Sequence, residues 1–575
     1  MTRAARPSRV HPLTSSAGAL IFCWAAACIG EVEQDQGTTT GSLPNASHPP
    51  VTPGNRPVAS DTNIRGTTGD GQDRCTAPVQ PALPRQLRRL TSSEHLASLQ
   101  TALELPDFAA QLPPDPAGPN GLNNNSQLLI VGPTFVDRAA HIAQQAARAF
   151  TEPAHLQKAL PCSDDVQSAT CAAYFINRFG RRVFRRPLTE VEQASYLSRM
   201  QQIQREHDLP SALRWALATL LQSPNFLYRS ELGTPQPDGT ALLDAYEAAA
   251  ILAYSLTGQG PDDALLDAAR DGALDTPEDR RQAAFDLLHE HPLLAKRVLD
   301  NFLDQWLGLA ALQTVGKDHP AFTPAIRSAM ADEMRLFLDL VIWEQRGGLT
   351  ELLTSRNTVL DGTLSRFYGY GKVTQGNRVV QRPSAWSTGL LAQGSLLALH
   401  ASNLHSSPTR RGHFVRSRLL CQSLPAAPEG VDGFPPVDAR TTRARHQALL
   451  DTPTCSECHV LMDATGFAFE TFDELGRLRS EEAGEAIEDS GVLVGTSQGN
   501  SNFVGATDLS RQLAALPETH ACLAGFLSSY ATGLSPQETQ CMFEEETTAL
   551  RTGAMGIVDY YVHVIATSAA SPRGM

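Results

Sequence analysis

The stretch CSECH, Cys455 to His459, holds the residues of this 575-residue chain whose types and spacing carry the clearest chemistry. Two cysteines stand three positions apart, and a histidine follows the second one directly. On a helical turn, residues three and four apart share a face, so all three side chains can meet one flat ligand. The motif is the signature of covalent haem attachment, with Cys455 and Cys458 as thioethers to the haem and His459 as the proximal iron ligand. We therefore predict one haem c on this segment.

Two other uses of the two cysteines stay open. A structural zinc site needs a second pair of ligands, and the sequence contains no other C-x-x-C. A redox dithiol, or a plain disulfide, is the other alternative, but a thioredoxin-like dithiol belongs in a βαβ setting that the surrounding sequence does not suggest. Both alternatives are weaker than haem attachment.

The second axial ligand of such an iron is harder to predict. Met462 lies on the same helix as His459 and cannot cross to the far face of one haem. His400, where an apolar helix breaks into a polar loop, is the first choice. The other candidates are His405, His413, His446, Met542 and Met555. A vacant position also stays open; it would permit peroxide or oxygen chemistry, whereas two protein ligands favour electron transfer.

The N-terminus has the pattern of an export signal. Arg3, Arg6 and Arg9 precede the apolar stretch 17–27, which is too short to span a bilayer. Small residues before Cys28 resemble a lipobox, which predicts a signal peptide over 1–27 and a lipid on Cys28. Ala25 stands where a lipobox usually has Leu, and ordinary signal cleavage would cut at the same bond. We expect an exported periplasmic or outer-membrane lipoprotein that meets the membrane through its anchor alone.

An oxidising compartment makes disulfides plausible for the remaining cysteines. Their sequence spacing favours two pairs of near neighbours, Cys162 with Cys171 and Cys522 with Cys541. Cys75 and Cys421 then remain by elimination.

Composition and periodicity predict a mainly α, multi-module body with few short strands. LDNFLDQWLGL places Leu299, Phe302, Leu303, Trp306 and Leu307 on one helical face. Short strands are expected only in NRVVQRP and GVLVGT. The net charge of −14 argues against nucleic acid as a partner.

Changes in composition along the chain predict module boundaries. Residues 28–84 are rich in Gly, Thr, Ser and Pro and read as a disordered tether. We expect helical modules over 85–160, 161–235 and 236–372, a haem-motif module over 373–485, and a C-terminal helical module over 486–575.

Apart from CSECH, the sequence contains few matches to catalytic motifs. GTSQG, Gly495 to Gly499, matches the nucleophile-elbow pattern, but a polar stretch follows where a helix should begin, so we predict a loop. Whether the protein is an enzyme stays open, with a haem-dependent oxidoreductase as the form such an enzyme would take.

The segment CSECHVLMDATGFAFETFDELGRLR resembles the haem-motif segment of a family of exported multi-module proteins abundant in planctomycetes and myxobacteria. Ala464 replaces the proline usual there. LRRLTSSEHLASLQTAL, FINRFGRRVFRRPLTEVE and DLSRQLAALPETHACLAGFLSSYATGLSP are similar to other modules of that family, with His95 where Tyr is usual. The positions that match the pattern after the motif are Met462, Asp463, Gly466, Phe467, Ala468, Glu470, Phe472, Asp473, Gly476 and Arg477.

The resemblance implies a c-type haem protein of the cell envelope, active in electron transfer or a haem redox reaction with a partner or substrate it does not name. His400 occupies a position that is often His in such proteins. Asp463, Glu470 and Arg477 are expected either to orient His459 or a haem propionate, or to shape the turn after the helix. The alternative is an exported surface binding or scaffold protein in which CSECH is structural.

Overall fold

A computed structural model describes residues 82–574, with gaps at 161, 163–168, 372, 384–388, 425–438 and 540–541. The predicted signal, the tether up to residue 81, Cys28, Cys75 and Cys541 lie outside the described residues. The described part is mainly α with few short strands, as predicted. No helix within it is long and apolar enough to cross a bilayer.

The N-terminal part packs around its own apolar core. Its elements are β1 (Leu83–Pro84), β2 (Gln86–Arg89), α1 (Ser92–Ala102), α2 (Pro133–Phe150), α3 (Pro153–Ala159), α4 (Ala169–Phe175), α5 (Arg181–Phe184), α6 (Glu190–Glu206), α7 (Leu209–Leu221), α8 (Pro224–Leu227) and β3 (Tyr228–Glu231), with a π-helical turn at Ile176–Gly180 between α4 and α5.

The central part contributes the first residues of the largest apolar core among the described residues. Its elements are β4 (Thr234–Pro235), β5 (Thr240–Leu242), α9 (Ala245–Thr257), α10 (Asp263–Arg270), α11 (Pro277–Glu290), α12 (Pro292–Leu307), a 3-10 turn (Leu309–Gln313), α13 (Pro324–Leu338), a π-helical turn (Asp339–Glu344), α14 (Leu349–Thr354), β6 (Asn357–Leu360), α15 (Gly362–Phe367) and β7 (Arg378–Gln381).

The C-terminal part completes that core and carries CSECH. Its elements are a 3-10 turn (Gly389–Ala392), α16 (Gly394–Leu399), α17 (Pro408–Phe414), a π-helical turn (Val415–Leu419), α18 (Thr442–Leu450), α19 (Pro453–Gly466), a 3-10 turn (Phe467–Phe469), β8 (Glu481–Glu482), β9 (Glu485–Ala486), β10 (Ser490–Thr496), β11 (Gly499–Val504), α20 (Gly505–Ala515), α21 (Pro517–Thr532), α22 (Pro536–Thr539), α23 (Glu544–Thr552), α24 (Ile557–Ala570) and β12 (Arg573–Gly574).

The predicted helix in LDNFLDQWLGL is the C-terminal half of α12. All five residues of its apolar face are buried, and burying each such side chain contributes about 1.5–3 kcal/mol. Gly308 ends the helix with φ +68°, a left-handed conformation that glycine adopts without a steric penalty.

Small sheets join distant parts of the chain. β12, at the C-terminal end, pairs in parallel with β1 and antiparallel with β5, in the order β1-β12-β5-β4. NRVVQRP contains β7, which pairs with β6, and GVLVGT contains most of β10, which pairs with β11. GTSQG is the connection between β10 and β11, and a strand follows it rather than a helix. This geometry matches the predicted loop and lacks the strand-to-helix turn of a nucleophile elbow.

Candidate haem-attachment site

The three residues of the motif lie on α19, which begins at Pro453 because proline favours the first turn of a helix. Cys455, Cys458 and His459 are all half-buried. Neither cysteine forms a disulfide with a cysteine that the structure describes. Their spacing of three and four residues places sulfurs and imidazole on neighbouring positions of one helical face, as a covalently held haem requires.

The imidazole of His459 is fixed from within its own helix. Its Nδ1–H donates to Oδ2 of Asp463, one turn further on, at 2.8 Å. No described residue bonds the other ring nitrogen, Nε2. A ligating histidine typically uses one nitrogen for the metal and donates from the other to a carboxylate or carbonyl, which sets the tautomer and the ring orientation. The donor set around His459 therefore fits an iron ligand.

Asp463 is fully buried and accepts hydrogen bonds from two more donors, which lie on other helices. Nδ1 of His446, on α18, lies 2.9 Å from the same oxygen, Oδ2. The hydroxyl of Thr409, on α17, donates to Oδ1 at 2.6 Å. Burial pushes the pKa of Asp463 upward, but the hydrogen bonds from His446, His459 and Thr409 outweigh burial and hold that pKa below its usual value. The carboxylate is a buried anion that ties three helices together.

This arrangement decides the place of His446, one of the candidate distal ligands. Both imidazoles approach the same carboxylate oxygen through Nδ1, so His446 lies on the Nδ1 side of His459. An iron on Nε2 of His459 would sit on the opposite side of the ring. His446 therefore supports His459 through Asp463 and does not face an iron from its far side.

His446, His459 and Asp463 form the one group of three metal-ligand side chains found among the described residues. A zinc site would need further ligands, and a structural site usually has four. The cysteines on α19 do not belong to this group. Within the described part of the chain, this group therefore adds no second ligand pair to Cys455 and Cys458.

Two buried arginines hold α19 and the chain that follows it. Arg411, on α17, donates to the carbonyls of Phe469, Phe472, Asp473 and Leu397 at 2.6–3.2 Å. The guanidinium satisfies carbonyl oxygens that would otherwise be buried without a donor.

The second arginine, Arg416, lies in the π-helical turn after α17. It donates from Nε to Leu461 O at 3.0 Å, from Nη1 to Val494 O at 2.5 Å and from Nη2 to the hydroxyl of Thr465 at 2.9 Å. Arg416 therefore connects the motif helix to β10.

Close packing of α17 on α19 depends on two glycines. A Cβ at Gly412 would collide with the carbonyl oxygen of Met462, and one at Gly466 would collide with the carbonyl oxygen of Pro408. The two backbones touch directly, and this contact brings Thr409 within reach of Asp463.

The other two groups predicted near the site have structural contacts. Glu470 is buried and accepts from Ser406 and Arg479, both at 2.9 Å. Arg477 donates to Asp473 at 2.8 Å. Neither contacts His459, and both have contacts that shape the turn after α19; a role at a haem propionate stays a prediction.

His400 follows α16 directly and is half-buried against the ring of Phe414, with centroids 4.7 Å apart. Its Nε2 is buried and bonds no described residue. Burial, reinforced by Arg411 and His413, lowers the pKa of His400 to about 3, so the imidazole is neutral and keeps a lone pair. No contact joins His400 to His459, and its role as distal ligand stays a prediction. His405 and His413 are both exposed.

The disulfides differ in part from those predicted. Cys162 pairs with Cys171, as their spacing suggested. Cys522 pairs with Cys421, 101 residues away, so the predicted pair Cys522–Cys541 is wrong, and so is Cys421 as the partner of Cys75. The reason is tertiary: the turn that leads into Cys421 packs on α21, where Cys522 lies, and nearness in sequence says nothing about that contact.

The sequence indicates no role for Thr409, and it suggests His446 only as a candidate for the distal iron ligand. Neither belongs to a motif with fixed spacing to His459. The one sequence feature they share is that each lies in a helix whose start is capped by a Ser or Thr side chain: Ser407 caps the helix of Thr409, and Thr441 caps that of His446.

Four family models match the chain in consecutive segments. PSD3, a protein of unknown function (DUF1587), matches residues 88–152, and PSD5 (DUF1595) matches 171–231. PSD4 (DUF1592) matches 243–370, and PSCyt3 (DUF1588) matches 387–482, the segment that contains CSECH. No curated protein and no solved structure matches the chain. The four modules together indicate a multi-module protein family of the planctomycete type.

Proposed function

We propose that this chain is an exported, lipid-anchored protein that carries one covalent haem c and takes part in electron transfer or a haem-dependent redox reaction at the cell envelope. One observation carries the proposal: His459 follows two cysteines on one helix, its Nδ1 is fixed by a buried carboxylate, and its Nε2 bonds no residue that the structure describes. The name PSCyt3 of the matching model points towards a cytochrome as well.

The chain's own residues have distinct parts in this proposal. Cys455 and Cys458 hold the group covalently, and His459 binds its iron through Nε2. When bound, a haem supplies a one-electron couple. Asp463 keeps the proton of His459 on Nδ1 and makes the imidazole a stronger electron donor, which favours the oxidised iron. His446 and Thr409 keep Asp463 in position.

The test is the pyridine haemochrome spectrum of protein made in a bacterial periplasm with haem-maturation machinery. We expect one covalent haem per chain in the wild type, and none held covalently when Cys455 and Cys458 are both changed to Ala. The Cys162→Ala/Cys171→Ala variant is the matched control, because it also loses two cysteines in an oxidising compartment but should keep its haem. A wild type without covalent haem would leave a binding or scaffold protein as the better description.

The second axial position is tested on the same preparation. A Soret band that shifts with cyanide indicates an open position, whereas no shift indicates two protein ligands. If His400 is the distal ligand, His400→Ala creates cyanide sensitivity that the wild type lacks. His405→Ala, an exposed histidine five residues on, should leave the spectrum unchanged.

A further inference from the structure

A cleft of about 400 Å³ lies away from α19, where the N-terminal part meets helices of the largest core. Residues of α1, α9, α12, α21 and α24 line it, and none of these helices carries the CSECH motif. Its size is within the range of small-molecule sites, roughly 300–1,000 Å³. Binding in this cleft would therefore be independent of haem binding.

Arg88 lines this cleft and is only 2% exposed. Its guanidinium donates from Nη1 to the carbonyl of Ala531 at 3.2 Å, and its buried Nε has no partner among the described residues. Its guanidinium lies against Gly533, where a Cβ would come within 2.7 Å of it. Burial, together with the nearby Arg229, lowers the pKa of Arg88 to about 10, yet the group remains charged at neutral pH.

Two carboxylates, Glu94 in the wall of the cleft and the buried Glu231, lie near enough to raise the pKa of Arg88 without forming an ion pair with it, and Glu231 is already shared. Glu231 accepts from Gln86 at 2.8 Å and lies 3.4 Å from Arg229 and 3.5 Å from Arg573. Arg88 has no ion pair with a described carboxylate. Buried charges in proteins are normally paired, since an unpaired one loses its hydration without compensation. A cation left in the wall of a solvent-filled cleft calls for an anion in the cleft.

The remaining polar lining suits hydroxyl groups. Glu94 provides a carboxylate on α1, although one of its oxygens caps the backbone of Thr91. Gln100 and Asn301 present amides, which both donate and accept. The rings of Tyr254 and Tyr530 supply apolar surface, and their hydroxyls are engaged with Ser98 and Asn301.

We propose that this cleft binds a small hydroxylated organic anion, whose carboxylate, sulfate or phosphate group pairs with Arg88 while its hydroxyl groups meet Glu94 and the amides. Arg297, exposed at the mouth of the cleft, adds a second positive charge that attracts the ligand.

The test is isothermal titration of the full-length protein with three probes: glucuronate, glucose 6-phosphate and neutral glucose. We expect at least one of the two anions to bind saturably with one site per chain, and glucose to bind at least about tenfold more weakly, because it lacks the charge that pairs with Arg88. Arg88→Gln should weaken binding of that anion by at least about tenfold, since a desolvated charge pair is lost.

Arg199→Gln, on the exposed surface of α6, is the control and should bind as the wild type does. If Arg88→Gln fails to fold, Arg297→Gln decides instead, because its exposed side chain is not needed for folding and its loss should weaken anion binding relative to Arg199→Gln. The proposal is overturned if neither anion binds saturably at millimolar concentration. It is equally overturned if glucose binds as tightly as the anions, or if the deciding variant binds as the wild type does.

Discussion

The substitution Asp463→Asn tests the support of the candidate iron ligand most sharply. The change keeps the size of the side chain but replaces a buried anion by a neutral amide whose NH2 group cannot accept a hydrogen bond. In the wild type this carboxylate receives three donors at 2.6–2.9 Å, from Thr409, His446 and His459. The Asn carbonyl oxygen in the place of Oδ2 can still accept from both imidazoles, but the Thr409 hydroxyl then loses its acceptor, and the two bonds that remain are no longer to a charged group.

The magnitude follows from that count. A hydrogen bond to a buried charged group is worth about 1.5–3 kcal/mol, and a bond between neutral groups about 0.5–1.5 kcal/mol. Losing one bond and weakening the other two should therefore lower the free energy of unfolding by roughly 3–5 kcal/mol, partly offset because the neutral side chain costs less to bury. We therefore expect a net loss of about 3 kcal/mol for Asp463→Asn and a larger loss, about 5 kcal/mol, for Asp463→Ala, which leaves three donors without a partner.

The assay is urea unfolding of the haem-free protein, followed by circular dichroism. Asp451→Asn, an exposed aspartate at the end of α18, is the matched control and should change stability by less than about 0.5 kcal/mol. In haem-loaded protein, Asp463→Asn should also raise the reduction potential, because a less electron-rich imidazole favours the reduced iron. If Asp463→Asn unfolds at the same urea concentration as Asp451→Asn, the buried carboxylate does not organise the site and the reasoning fails.

Three further predictions concern the stability of the fold. Removing the disulfide in a Cys421→Ser/Cys522→Ser variant should cost about 4–5 kcal/mol of unfolding free energy in urea, because it releases a loop of about 100 residues in the unfolded chain; no loss would contradict the pairing. Burial, helped by the nearby Arg89, lowers the pKa of His95 to about 4, so below about pH 6.5 the unfolded chain takes up a proton that the folded chain excludes. Between pH 7 and pH 5 the wild type should therefore lose about 2 kcal/mol more unfolding free energy than His95→Phe does. Equal pH profiles for the two proteins would refute this. Arg411→Met should lower the free energy of unfolding by at least about 4 kcal/mol in thermal or urea unfolding, because four buried carbonyls lose their donor. The control Arg410→Met, at the adjacent exposed arginine, should lower it by less than about 1 kcal/mol. Similar losses for the two variants would contradict the assigned contacts.

Local patterns were sufficient for much of the helical framework. The apolar spacing in LDNFLDQWLGL predicted the buried face of α12, and Gly308 predicted its end, because both depend on residues within two turns of each other. The placement of Cys455, Cys458 and His459 on one helix is equally local. These features could be predicted because the helical period and the residue types determine them together.

Contacts between distant segments could not be predicted in the same way. Thr409 and His446 reach Asp463 across 54 and 17 residues, and only the packing of α17 and α18 on α19 brings them there. The pairing of Cys421 with Cys522 depends on a turn docking against α21. In each case the deciding interaction is tertiary, and no single-segment pattern encodes it.

The central claim, that CSECH holds a covalent haem, is tested most directly by the intact mass of mature protein made with haem-maturation machinery. We predict a mass increase of one haem that survives acid–acetone extraction and maps to the peptide containing Cys455 and Cys458. A protein of unmodified peptide mass, or one whose haem is removed by extraction, would contradict it.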